Sequence, residues 1–178
     1  MNSILVVDDE NSIANLIYET LGSAGYRAVC VYDGKSAADE IEKNRYDLVL
    51  LDVMLPEVDG FELIGYIRQY NIPVIFLTAV ADPVSEVKGF NLGAVDFITK
   101  PFVAPVMKRR IATQLELYSY QNELEDIVEQ KVEEVEKMQH MLASGFAELV
   151  ESRDGVTGGH IKNTLIYYEA FVNVLQDI

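Results

Sequence analysis

Basic residues are scarce in this sequence: 14 lysines and arginines stand against 29 aspartates and glutamates over 178 residues, a formal net charge of −15. The deficit runs the whole length, with 17 acids to 10 bases over residues 1–118 and 12 to 4 over 119–178. Phosphate backbones are gripped by clustered Lys and Arg, so the chain is not read as a nucleic-acid binder. The one basic cluster, KRR at 108–110, fits a solvated helix face. No helix-turn-helix pattern follows residue 118, which disfavours a DNA-binding regulator.

Cysteine is nearly absent. Cys30, in the apolar run AVCVY, has no partner for a disulfide and reads as core filling in a reducing compartment. Long apolar runs are missing as well, since IPVIFLTAVA falls well short of the ~20 residues that cross a bilayer as a helix. No basic leader precedes the charges at Asp8 to Glu10. A soluble, cytoplasmic protein without a membrane partner is expected. Histidine occurs only twice, at His140 and His160. Too few are present for a histidine-built catalytic metal site, so the sequence offers no phosphohydrolase centre of its own.

What is present divides the chain in two. SILVVD, YDLVLLD, IPVIFLT and AVDFIT, with the weaker YRAVCVY, are short, Val/Ile/Leu-rich and continuous rather than alternating. That is the pattern of strands buried on both faces of a parallel sheet. Helix-compatible segments lie between them at 11–24, 35–44, 59–69, 83–92 and from about 103 onward. Gly25, Gly34, Pro73, Pro83 and Gly93 punctuate the division. Strands alternating with helices imply right-handed crossovers and a doubly wound five-stranded α/β sandwich.

The second part lacks breakers. Between Pro105 and Glu151 there is no further proline, and Gly145 is the single glycine. Val128, Val132, Val135, Gln139, Leu142, Phe146 and Leu149 step by four and three, the a/d seam of a coiled coil. Leu117, Tyr120, Leu124 and Ile127 form a second seam, offset by one residue. A parallel two-helix coil between identical chains over 117–149 is expected, with Gln139 fixing register; a single helix lying on its own domain is the alternative.

In open parallel sheets, ligands bind beyond the carboxyl ends of the strands. Asp8 and Asp9 fall there after the first strand, Asp52 after the third, Thr78 after the fourth and Lys100 after the fifth. Three carboxylates in one cleft repel, and a divalent cation relieves that; Mg²⁺ suits a few carboxylates with waters and a phosphate. One carboxylate can then attack phosphorus, with Lys100 balancing charge and the Thr78 hydroxyl donating a hydrogen bond. Taken singly, each is an ordinary cap, turn or surface residue.

Together, ILVVDDE, DLVLLDVMLPEVDGFEL, PVIFLTA and GAVDFITKPF resemble the receiver domain of two-component response regulators, over residues 1–118. The resemblance implies a flavodoxin-like fold with strand order 2-1-3-4-5 and Asp52 as phosphoacceptor from a sensor histidine kinase. It implies that Asp8, Asp9, Asp52 and the Met54 carbonyl hold Mg²⁺. It also implies that Thr78 and Phe97 form a switch pair, that Lys100 contacts the phosphoryl oxygens, and that Lys100–Pro101 is cis. Position 97 is Phe where many relatives carry Tyr.

Beyond a coiled-coil linker at 119–150, the stretch FAELVESRDGVTGGHIKNT resembles the start of the HD-GYP metal-dependent phosphohydrolases, many of which degrade cyclic di-GMP. Glu151 to Asp154, Thr157, Gly158 and His160 carry that likeness, and 151–178 reads as the beginning of such an output domain. The His-Asp pair, the paired histidines and the Gly-Tyr-Pro of the family are absent. Val156 stands where some members have a metal-binding glutamate, which implies two metals rather than three in a full-length parent. Within this chain His160 reads as a capping or solvated residue and His140 as a helix-face residue; a phosphotransfer role for either is disfavoured. A dimerising scaffold with an unused pocket is the runner-up reading.

Overall fold

A computed structural model of the chain describes residues 1–79 and 83–153, the side chains at 150–153 excepted. Five strands alternate with helices: β1 (Ser3–Val7), α1 (Asn11–Ser23), β2 (Arg27–Val31), α2 (Gly34–Lys43), β3 (Leu48–Asp52), α3 (Gly60–Ile67), β4 (Val74–Thr78), α4 (Pro83–Leu92), β5 (Asp96–Thr99) and α5 (Ala104–Arg153). A single 3-10 turn, Arg68–Tyr70, extends α3. All pairings are parallel and the strand order is β2-β1-β3-β4-β5, as the resemblance implied. The chain forms two compact units, Met1–Gln121 and Asn122–Ile178.

The continuous apolar runs have the cause inferred from sequence. Successive side chains of a strand point to opposite faces, and here each face is roofed by helices. Leu5, Val7, Val49, Leu51, Val74 and Phe76 pack on one face with Ala37, Ile41, Leu63, Ile64 and Ile67 of α2 and α3. Ile4, Val6, Leu48, Leu50, Ile75 and Leu77 pack on the other with Ile17 and Leu21 of α1 and Met107, Ile111 and Leu115 of α5. β2 is an edge strand and only half-buried, which is why YRAVCVY reads more weakly.

Local chemistry sets several boundaries. Asp33 caps α2 by accepting from the Ser36 N–H at 2.7 Å, and Asp59 caps α3 by accepting from the Phe61 N–H at 2.9 Å. Pro83 opens α4, where its missing N–H costs nothing. Gly25 and Gly93 follow helix ends with φ of 85° and 99°, a region other residues avoid. The Lys100–Pro101 peptide is cis.

Candidate functional site

Doubly wound topology puts the carboxyl ends of β1, β3 and β5 along one edge of the sheet, with β4 between β3 and β5, and three of the residues singled out meet there. Lys100 Nζ lies 2.6 Å from Asp52 Oδ2, to which it donates a hydrogen bond, and 2.6 Å from Asp8 Oδ2. Asp8 is fully buried and Asp52 nearly so, although both are charged residue types that a core excludes unless paired. Their second oxygens are tied to the backbone: Asp8 Oδ1 accepts from the Glu10 N–H and Asp52 Oδ1 from the Met54 N–H, each at 3.0 Å. Those turns fix both carboxylates at the strand ends.

The three acidic groups Asp8, Asp9 and Asp52 each place a carboxylate oxygen within 4.8 Å of the others. Asp9 is exposed, so the cluster opens to solvent on that side. Among the described residues Asp8 Oδ2 meets no donor but the Lys100 ammonium, at 2.6 Å. A buried carboxylate oxygen with unfilled lone pairs, beside two further all-oxygen donors, fits a hard divalent cation of the Mg²⁺ type.

Electrostatics within the cluster pull in two directions. Burial pushes the Asp8 carboxyl above its ordinary range, against the bonding and charge of Lys100 that draw it down. Burial also works against the Lys100 ammonium, but hydrogen bonds and charge from Asp52 and Asp8 outweigh it and hold that group above an ordinary lysine. Lys100 therefore stays cationic at the centre of an acidic pocket.

The other expected residues frame this centre. Thr78 ends β4, nearly buried, and its carbonyl accepts from the Lys100 N–H at 2.7 Å. Met54 lies two residues past Asp52 with its side chain exposed. Phe97 is buried on the face of β5 that packs with Phe76 of β4, its ring in a chain of aromatics. Centroids lie 5.2 Å apart for Phe61–Phe76, 5.4 Å for Phe76–Phe97 and 4.9 Å for Phe97–Phe90, and Lys88 Nζ stands 4.1 Å above the Phe61 ring.

Two glycines matter here that the sequence reading passed over. A Cβ at Gly60 would meet the Asp52 carbonyl oxygen at 2.3 Å, so α3 starts against the very residue that carries the central carboxylate. A Cβ at Gly89 would meet Phe97 Cζ at the same distance. An isolated glycine inside the helical pattern of 83–92 was the available signal. His140 lies exposed on α5. Val156, Thr157, Gly158 and His160 lie outside the described residues, as does the expected output start beyond Arg153.

Fold and pocket together define a signalling receiver module. The family of the response regulator receiver domain matches residues 4–112, and the chain belongs to that family, which serves two-component signalling. Among curated relatives, a protein of Vibrio cholerae serotype O1 named "Probable cyclic di-GMP phosphodiesterase" is 36% identical over 97% of this chain and 42% of its own length. The regulatory protein VanRc of Enterococcus gallinarum is 43% identical over 75% of this chain and 58% of its own. The chain thus spans about two fifths to three fifths of these relatives. Among solved structures, the receiver domain of Francisella response regulator 1452 is 32% identical with a TM-score of 0.61, covering 65% of this chain and 98% of that one. Among the described residues no helix is long and apolar enough to cross a membrane.

Proposed function

We propose that this chain is a phosphorylation switch in which Asp52 takes a phosphoryl group from a sensor histidine kinase. The observation that carries the reading is the placement of Lys100 Nζ 2.6 Å from both Asp8 and Asp52, in a pocket open on the side of Asp9. One Asp52 carboxylate oxygen attacks phosphorus as the bond to the donor's leaving group breaks, giving an acyl phosphate. The Lys100 ammonium then faces the phosphoryl oxygens, where charge accumulates.

Asp8, Asp9, Asp52 and the Met54 carbonyl would hold Mg²⁺, which when bound neutralises the phosphoryl oxygens and the crowded carboxylates. The Thr78 hydroxyl donates to the phosphoryl group, and Phe97 fills the space behind it. This pair is the switch whose two arrangements phosphorylation biases.

Its output in a longer protein is a cyclic di-GMP phosphodiesterase of the HD-GYP class, with residues 1–118 as receiver, 119–150 as coiled-coil linker and 151–178 as the start of the output. The relative named for that activity aligns with 97% of this chain, which supports the assignment. Signalling passes through a homodimer held by 117–149, with no part for nucleic acid or membrane. The chain's own chemistry is confined to self-phosphorylation.

Incubation with Mg²⁺ and acetyl phosphate tests this. Intact-mass spectrometry should show one added phosphoryl group that disappears without Mg²⁺ and in Asp52→Asn. Absence of any adduct in the unaltered chain would leave the scaffold reading in its place.

A further inference from the structure

The apolar positions of α5 change phase partway along it. Leu117 and Leu124 occupy heptad position a, and Tyr120 and Ile127 position d; then Val128 takes d and Val132 takes a. From Leu124 to Val132 is eight residues where a heptad has seven. One residue is about 100° of rotation in an α-helix, so the two seams occupy different faces of one element. Every apolar member of both seams is at least 47% exposed.

The side chains beside the junction say what covers it. Ile127, Val128, Val132 and Val135 line one shallow apolar groove, flanked by Lys131 and Glu136. With Val132 at a and Val135 at d, Lys131 is a g residue and Glu136 the following e residue. Those two meet across a parallel pair of identical helices as opposite charges. Glu133, Glu134 and Lys137 fall at outward positions, where Lys131–Glu134 (2.5 Å) and Lys137–Glu133 (3.2 Å) pair along a single helix. Ten large apolar side chains of the two seams lie exposed between Leu117 and Leu149, and a second copy would cover them on each helix. At this exposure that amounts to ~1,500–2,000 Å² over both helices, within the range of stable interfaces.

We propose that α5 pairs in parallel with α5 of a second copy, and that the seam passes from one register to the other at Ile127–Val128. The proposal rests on the homodimer of the preceding subsection and adds the phase change. Leu117 to Val132 is 15 residues over four turns. That is about 3.75 residues per turn, above the ~3.6 of a straight helix, and such a period unwinds a left-handed coil locally. Rotation of the upstream block is absorbed at the junction by exchanging Ile127 for Val128 in the seam. The junction is thereby the point where a twist arising in the receiver is passed on or lost.

Single cysteines at Leu124, Ile127, Val128, Lys131, Val132, Glu134 and Val135, in a Cys30→Ala background of the full chain, test the register under mild oxidation. Disulfide dimers should be abundant at 124, 127, 128, 132 and 135 and several-fold weaker at 131 and 134. Sedimentation equilibrium of the unaltered chain separates the two layers of the claim. A monomer would overturn the dimer and the phase change together. A dimer whose cross-links peak at 131 and 134 instead of 132 and 135 would overturn the phase change and leave the dimer standing. Cross-links confined to one position would overturn the parallel orientation. Deleting Gln130 supplies a second readout: it joins the seams into one heptad series and should raise the coil's melting temperature, whereas a lowered one contradicts the junction.

Discussion

A methyl group at Gly89 would stand 2.3 Å from Cζ of Phe97 and 3.2 Å from the ring of Phe76, so the buried position of the Phe97 ring depends on α4 having no side chain there. Ordinarily, alanine in place of glycine in a helix gains up to ~1 kcal/mol. Here the ring has nowhere to give, with Phe90 against its edge and Phe76 beside it. Overpacking costs about 1–3 kcal/mol and prevails. Gly89→Ala should therefore lower stability in urea, and Phe97→Leu in the same chain should recover much of the loss. A double-mutant cycle with no coupling between positions 89 and 97 would contradict the packing account.

Asp33 gives a pH-dependent prediction. The Ser36 N–H, at 2.7 Å, and then the Ser36 hydroxyl, at 2.8 Å, hold its carboxyl below the ordinary range. A carboxyl lowered in the folded state binds fewer protons folded than unfolded, so its contribution is present above the unfolded value of about 4 and lost as pH falls through the folded one. The group faces solvent, and the cap is worth about 1 kcal/mol or less. Asp33→Ala should cost that amount at pH 7, and the gap should close below pH ~4 as the carboxylate of the unaltered protein protonates. A gap that persists unchanged in acid would mean the loss is packing and not the cap.

Divalent cations should stabilise this fold. Asp8 is buried with an oxygen that meets only the Lys100 ammonium among the described residues, and three carboxylates crowd within 4.8 Å. A ligand that binds only the folded state adds about 2.7 kcal/mol at a hundred times its dissociation constant. Thermal unfolding with and without Mg²⁺ should show a concentration-dependent rise, abolished in the doubly substituted Asp8→Asn, Asp9→Asn chain. That variant should itself be at least as stable as the unaltered protein without cation, because a buried charge has been removed. An equal rise in both would place the cation elsewhere.

The parts of the molecule legible in the sequence are those set by local pattern. SILVV and LVLLD read as two-faced strands because both sides of β1 and β3 are roofed, and the acids after them fall at the strand ends by simple counting. The contacts that were not legible join residues distant in sequence. Nothing near Gly60 announces that its Cα must pass the Asp52 carbonyl, and nothing near Lys88 announces the Phe61 ring beneath it. Gly89 was visible as an anomaly in a helix, but its reason lies in β4 and β5. The 3-10 turn at Arg68–Tyr70 was absorbed into the expected helix because both share the same short-range signals.

The central claim is that the carboxylate of Asp52 is where the phosphoryl group arrives. Acyl phosphates are reduced by borohydride to the alcohol, which marks the modified residue permanently. After treatment with acetyl phosphate and Mg²⁺, then borohydride, peptide mapping should find the reduced side chain at position 52 alone, with Asp8 and Asp9 intact. A mark at Asp8 or Asp9 in place of Asp52, or none in a protein that gains phosphoryl mass, would contradict the account.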